Sequence, residues 1–81
     1  MPDKHARYGA KVLLKFKLQE FGRIARTDFL RWALGVPYLH SLHRTYGGGS
    51  AQQEWLEQVL ADLARSGALV DNGETIEDVS T

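Results

Sequence analysis

The chain of 81 residues lacks cysteine, has only two prolines and contains no long apolar run. Without cysteine it forms neither disulfides nor thiolate metal sites, which fits a reducing cytoplasm. A helix that crosses a bilayer needs about 20 apolar residues. The amino terminus also lacks the apolar core of a secretory signal. The sequence therefore predicts a soluble, cytoplasmic protein with no membrane partner.

Motifs that carry catalysis are missing as well. The glycine triplet at 47–49 lacks the Lys-Ser/Thr pair that completes a phosphate-binding loop. Ser41 and Ser50 lack an evident base and orienting acid, and no nucleophile elbow is present. His40 and His43 have the i, i+3 spacing of a ligand pair, but without cysteine and with one further histidine they predict no metal site. We expect no enzymatic activity and no cofactor.

The composition that is present suits a small globular domain. Hydrophobic residues make up 43% of the chain and charged residues 25%, which is enough apolar material for a core. A domain of this size buries only about 60% of its unfolded surface, so we expect modest stability. The pattern predicts one domain, divided into a polar arm at 1–8, a helical core at 9–67, a hairpin at 68–77 and a tail at 78–81.

The stretch at 9–21 fits two periodicities. Its apolar residues alternate with lysines, as in a strand, and also repeat at the i, i+4, i+7 spacing of a helix. The twelve residues after Gly9 contain no turn signal and are rich in Leu, Lys, Gln and Glu, so they favour a helix that ends at Gly22. The predicted inner face of this helix consists of Leu14, Leu18 and Phe21, with Leu13 and Phe16 beside them.

Two short helices are predicted next, after an extended link at 23–26 in which Ile24 points inward. Thr27 or its neighbour is expected to cap the first of them. Gly35 ends that helix, and a proline fits the first position of the second, Pro37–Tyr46. The predicted buried residues of this pair are Phe29, Leu30, Trp32, Ala33, Leu34, Val36, Leu39 and Leu42.

The glycine triplet at 47–49 predicts a break, and an inserted flexible linker and a natural loop both fit it. Ser50 is expected to cap a fourth helix that ends at Gly67. Its buried stripe consists of Trp55, Leu56, Val59, Leu60 and Leu63.

The carboxyl-terminal part predicts a hairpin. Asn72-Gly73 is a strong turn signal between two short strands, at 68–70 and 75–77. The residues at 78–81 are expected to fray.

The helix pair joined by Gly35 and Val36 has the features of a helix-turn-helix. These are a glycine at a tight turn of positive φ, an apolar residue after it and apolar anchors on both helices. In these residues the chain resembles the helix-turn-helix superfamily, and with its hairpin it is similar to the winged-helix branch, where Leu63–Glu77 resembles the helix end and wing. The resemblance covers roughly 12–76. It implies a mostly α, small winged-helix-like domain of three to four helices with a short C-terminal β-hairpin.

Two departures from this pattern leave the DNA-reading helix open. Ser41 stands where the second helix of the pair usually carries its main apolar anchor, so Leu42 would have to substitute. In a winged helix the helix before the wing is the reader, but here that helix, at 51–66, is separated from Gly35 by an insertion. The helices at 37–46 and 51–66 are therefore both candidate readers.

The distribution of charge distinguishes these two helices, because basic residues are concentrated in the first part of the chain and acidic residues in the second. Nine of the ten bases and three of the ten acids precede Gly47, which gives +6 before it and −6 after it. DNA affinity comes largely from neutralised phosphates, so the acidic helix at 51–66 is disfavoured and the helix at 37–46 is favoured. Predicted phosphate contacts are Arg23, Arg26, Thr27 and Arg31 with Lys4 and Arg7. The predicted reader residues are Tyr38, His40, His43 and Arg44, with Gln52 and Gln53 as the second choice.

Two functions remain open at this point. The first is a small helix-turn-helix DNA-binding protein, a transcriptional regulator or accessory factor, although zero net charge counts against it. The alternative is a winged-helix protein-interaction module, an adaptor or inhibitor, that docks through its acidic C-terminal helix and wing. Either protein could form a homodimer by pairing its opposite poles. If the protein binds DNA, we expect Arg26, Arg31, His43 and Arg44 to lie on one face.

Overall fold

A computed structural model describes residues 2–79, with side chains from Arg7 onward. Within that range lie α1 (Pro2–Phe21), β1 (Arg23–Ala25), α2 (Arg26–Leu34), α3 (Pro37–Tyr46), α4 (Gln52–Arg65), β2 (Leu69–Asp71) and β3 (Thr75–Asp78). The strands form one antiparallel sheet in the order β1-β3-β2. The fold is mostly helical and winged-helix-like, which confirms the predicted class.

The first helix is longer than the sequence suggests. α1 begins at Pro2, so the segment predicted as a polar arm, at 1–8, is instead its first two turns. Met1 lies outside the described residues. Proline is tolerated at a helix start because the first N–H groups of a helix have no intrahelical acceptor. The helix ends at Phe21, one residue before Gly22, as predicted.

The core lies between the helices and the sheet. Phe16 and Phe21, predicted near the inner face of α1, are instead 63% and 42% exposed. The inner face is set by a row of residues four apart, and Phe16 lies about 200° around the helix from Leu14. The buried set is Ala10, Leu14, Leu18, Phe29, Leu30, Ala33, Leu39, Trp55, Leu56, Val59, Leu60, Leu63, Leu69 and Ile76.

The start of α2 and the conformation of the glycine after it differ from the prediction. α2 begins at Arg26 without a side-chain cap, so the predicted cap at Thr27 is wrong. α3 begins at Pro37, as predicted. Gly35 between them has φ of −93°, so the positive φ expected of this turn is also wrong. The helix end closes with an ordinary hydrogen bond from the N–H of Gly35 to the carbonyl of Trp32 at 3.0 Å, which any residue except proline makes equally well.

The predicted cap of the last helix is wrong as well. α4 begins at Gln52, with Ala51 in the capping position. The hydroxyl of Ser50 instead donates to the carbonyl of Gly47 at 2.7 Å. Ser50 therefore closes the loop before the helix rather than the helix itself.

The predicted hairpin is present as β2 and β3. It turns through Gly73 and Glu74, and Gly73 has φ of 92°, as the first position of a type II′ turn requires. The side-chain oxygen of Asn72 accepts hydrogen bonds from the N–H groups of Glu74 and Thr75, at 3.0 and 2.8 Å. Local turn chemistry thus determines the register of this pair.

The extended link predicted at 23–26 becomes a third strand. β1 pairs with β3, and Ile24 lies opposite Ile76. β3 continues to Asp78, where fraying was expected to begin. Residues 80–81 of the predicted tail lie outside the described part. In residues 2–79 no helix is both long and apolar enough to cross a membrane.

Candidate interaction surface

The two oppositely charged parts of the chain meet each other in the fold. α1 packs against α4 and β3, so bases that precede Gly47 lie beside acids that follow it. Much of the positive part is therefore neutralised within the chain. The ion pairs that join the two parts are Arg7–Asp62 at 3.3 Å, Lys11–Asp62 at 3.7 Å, Lys15–Asp78, Arg26–Glu57 at 3.0 Å and Arg26–Asp71 at 3.1 Å.

Arg26, a predicted phosphate contact, holds three elements together. From the start of α2 it donates to Glu57 of α4 and to Asp71 of β2, with only 24% of its side chain exposed. Desolvation lowers the pKa of Arg26, but the hydrogen bonds to Asp71 and Glu57 and their charges outweigh it and raise the pKa. The guanidinium is therefore engaged twice inside the protein.

Lys15 has a similar role at the end of the sheet. Its ammonium group donates to Asp78 and to the carbonyl of Ala68, and more weakly to the carbonyl of Val79 at 3.3 Å. Lys15 thus ties the middle of α1 to both ends of the hairpin.

Three of the predicted DNA-binding residues do come together. Thr27, Arg31 and Gln53 line a cleft of about 240 Å³ between α2 and α4. Arg31 is 80% exposed and lies 3.6 Å from Asp28, a neighbour on its own helix. Arg23 is also exposed but lies elsewhere, on β1 opposite Glu77. This cleft is the best-formed part of the predicted DNA surface.

The predicted reader helix α3 uses its histidines for internal contacts. The ring of His40 bonds the carbonyl of Leu34, and that of His43 bonds the carbonyl of Ser50 at 2.6 Å. The ring of His43 also lies 5.8 Å from that of the buried Trp55, between centroids. Both histidines therefore support the helix ends and the loop that follows.

The remaining predicted residues, Arg44 and Gln52, differ in their exposure. Arg44 is exposed on α3, with no ion pair to any described side chain. Gln52 is half-buried, and its amide nitrogen is buried without a hydrogen-bond partner in the described part of the chain. Of the four residues expected to share a DNA-binding face, Arg26 and His43 are engaged by hydrogen bonds within the chain, whereas Arg31 and Arg44 are exposed.

An apolar groove lies between α1 and α3, on a surface that sequence reasoning missed. It has a volume of about 540 Å³ and is lined by Tyr8, Gly9, Val12, Leu13, Phe16 and Tyr38. Along its edge, Tyr8, Val12 and Phe16 are 70%, 51% and 63% exposed. Large apolar side chains that are contiguous and exposed mark interaction surfaces more often than isolated ones.

Gly9 and Tyr38 are in close contact in this groove. A β-carbon at Gly9 would lie 2.7 Å from the hydroxyl oxygen of Tyr38, closer than van der Waals contact allows. A larger residue at position 9 would therefore require the half-exposed side chain of Tyr38 to shift. The spacing of Tyr8, Val12 and Phe16 at i, i+4, i+8 is the sequence signal that could have revealed this second apolar row.

No group of three or more His, Asp or Glu side chains in the described part of the chain is arranged to hold a metal ion. Comparisons with known protein families, curated proteins and solved structures found no match to this chain.

Proposed function

We propose that this protein is a winged-helix protein-interaction module whose contact surface is the groove between α1 and α3. The observation that carries the proposal is the exposed apolar row of Tyr8, Val12 and Phe16 beside that groove. Aromatic anchors next to a recess are the features that dominate the energetics of protein interfaces. Water is released from this surface when a partner covers it, which favours association.

The charge arrangement supports a protein partner over DNA. DNA binding draws its affinity from bases that are free to neutralise phosphates. Here Arg7, Lys11, Lys15 and Arg26 already lie beside carboxylates of the same chain. A phosphate would have to replace those carboxylates, so its net gain is small.

The same ion pairs argue against the acidic helix α4 and the hairpin as the contact surface. Four of the seven acids after Gly47 are engaged with bases of the first part: Glu57, Asp62, Asp71 and Asp78. A basic partner would have to compete with these internal pairs. The groove, in contrast, requires no such exchange.

A photo-crosslinker placed at Val12 tests the proposal. Val12 is half-exposed at the groove edge, so a benzophenone amino acid fits there without disturbing the core. In cells that express the protein, we expect irradiation to yield a discrete protein adduct from position 12. The matched control is the same amino acid at Ala61, which is exposed on α4, away from the groove. An adduct from Ala61 alone, or none from position 12, contradicts the proposal.

DNA binding through the cleft between α2 and α4 is the second candidate, because that cleft brings together Thr27, Arg31 and Gln53. It predicts binding of duplex DNA at physiological salt that Arg31→Ala weakens several-fold and Arg65→Ala, on the far end of α4, does not. A fluorescence-anisotropy titration of labelled duplex with these two variants decides the point. Absence of binding at low and physiological salt removes this candidate.

A further inference from the structure

The apolar row on α1 is symmetric about Val12. Tyr8 and Phe16 each lie four residues away, about 6 Å along the axis in opposite directions. A two-fold axis through position 12 would therefore align each Tyr8 with Phe16 of a second, antiparallel helix. An interface between identical chains needs this property, since every contact on one side must be repeated on the other.

We propose that the groove is covered by a second copy of the chain, with the two α1 helices antiparallel across a two-fold axis at Val12. The proposal rests on the proposed function and names its partner. Each copy places its exposed Phe16 against Tyr8 of the other copy, along the edge of the groove that both copies carry. Because each of these contacts is repeated on the other side of the axis, the face is self-complementary.

The electrostatics of this face favour a second copy over a charged partner. The lysines at its margin already have partners in their own chain, Lys11 with Asp62 and Lys17 with Glu20. The chain as a whole carries no net charge. Two copies can therefore approach without repulsion, and proteins near zero net charge associate more readily.

The helix α1 is also long enough to form one side of a stable dimer interface. α1 has 20 residues, about 30 Å at 1.5 Å per residue, and the domain is 31 Å along its longest axis. A standard interface buries about 800 Å² on each partner, about one sixth of the 5019 Å² surface of this chain. The apolar row from Tyr8 to Phe16 extends over about 12 Å of that helix and, with Tyr38 of α3 beside it, forms the centre of such an interface.

Charge substitutions at the axis test the register directly. Position 12 meets its own equivalent across a two-fold axis, so Val12→Lys and Val12→Glu each place like charges together and should raise the dimer dissociation constant about tenfold or more. An equimolar mixture of the two variants should associate again, because opposite charges then meet. The control is Val70→Lys on β2, since Val70 is 52% exposed against 51% for Val12.

Sedimentation equilibrium at concentrations up to about 1 mM measures the average mass, and hence the dimer dissociation constant, of each protein. We expect the unmodified protein to reach twice the 9.1 kDa chain mass as concentration rises, each position-12 variant alone to need at least a tenfold higher concentration to do so, and Val70→Lys and the mixture to match the unmodified protein. An unmodified protein that stays monomeric, a Val12→Lys variant with an unchanged dissociation constant or a mixture that associates no better than either variant alone overturns the inference. If the protein is monomeric but position 12 crosslinks to a chain of another mass, the dimer is refuted and the proposed function stands. If position 12 gives no adduct, both fail.

Discussion

Replacing Arg26 by methionine measures how firmly the two charged parts of the chain are joined. Arg26 donates to Glu57 at 3.0 Å and to Asp71 at 3.1 Å from a side chain that is 24% exposed. Hydrogen bonds to charged groups contribute about 1.5–3 kcal/mol when buried and ion pairs at the surface below about 1 kcal/mol. Because the Arg26 site is intermediate between buried and exposed, we expect Arg26→Met to lower the free energy of unfolding by about 2 kcal/mol.

Urea denaturation followed by tryptophan fluorescence provides the assay, since Trp55 is buried in the core. In a domain of this size about 2 kcal/mol corresponds to a fall in Tm of roughly 10 °C. Methionine retains much of the apolar stem, so the loss reports the charge rather than the packing. The control is Arg31→Met, whose partner Asp28 is 3.6 Å away and 59% exposed, with an expected loss below about 0.5 kcal/mol.

A double-mutant cycle identifies the partner. Arg26→Met combined with Asp71→Asn should show a coupling energy of about 1 kcal/mol, because both single variants break the same contact. The reasoning is refuted if Arg26→Met is no more destabilising than Arg31→Met, or if the cycle shows no coupling. If Arg26→Met is no more destabilising than Arg31→Met, Arg26 is free in solution and available to phosphate, which restores the case for DNA binding.

Three further substitutions test the structural account. Lys15→Met should destabilise the protein by about 1 kcal/mol and speed amide hydrogen exchange at Asp78, whereas Lys17→Met should leave that exchange unchanged. Gly73→Ala should lower the free energy of unfolding by about 1 kcal/mol in thermal melts, because φ at this position is 92°. Leu14→Ala should lower it by about 3 kcal/mol in urea, because Leu14 is 1% exposed and truncation leaves a cavity. Gly73→Ala as stable as the unmodified protein, or Leu14→Ala within about 1 kcal/mol of it, would contradict the assigned turn and core.

Local signals in the sequence predicted several elements correctly. The start of α3 at Pro37, the glycine after α1 and the presence of a hairpin turn at Gly73, although it is shifted by one residue from Asn72-Gly73, all depend on backbone preferences of one or two residues. The buried stripe of α4 followed from its helical spacing, which needs no knowledge of the partner that covers it. Signals of this kind act over a few residues, so they can be interpreted without the fold.

Capping was predicted less well, because a side chain that can cap a helix can also bond elsewhere. Thr27 and Ser50 both have the chemistry of a cap, yet α2 starts one residue before Thr27 and Ser50 closes the preceding loop. Glycine readily adopts a positive φ, but φ at Gly35 is −93°, which is negative as in a helix. These choices depend on where the next element packs.

The sequence by itself determined the helical character of the chain, the final hairpin and the sorting of its charges, because each depends on residue type and spacing. Only the tertiary structure decided that the two charged parts neutralise each other, since Arg26 meets Asp71 across 45 residues of chain. It also decided that β1 completes the sheet and that Phe16 faces solvent beside the groove. Pairing and exposure are properties of surfaces brought together by folding, and no local pattern specifies which surfaces meet.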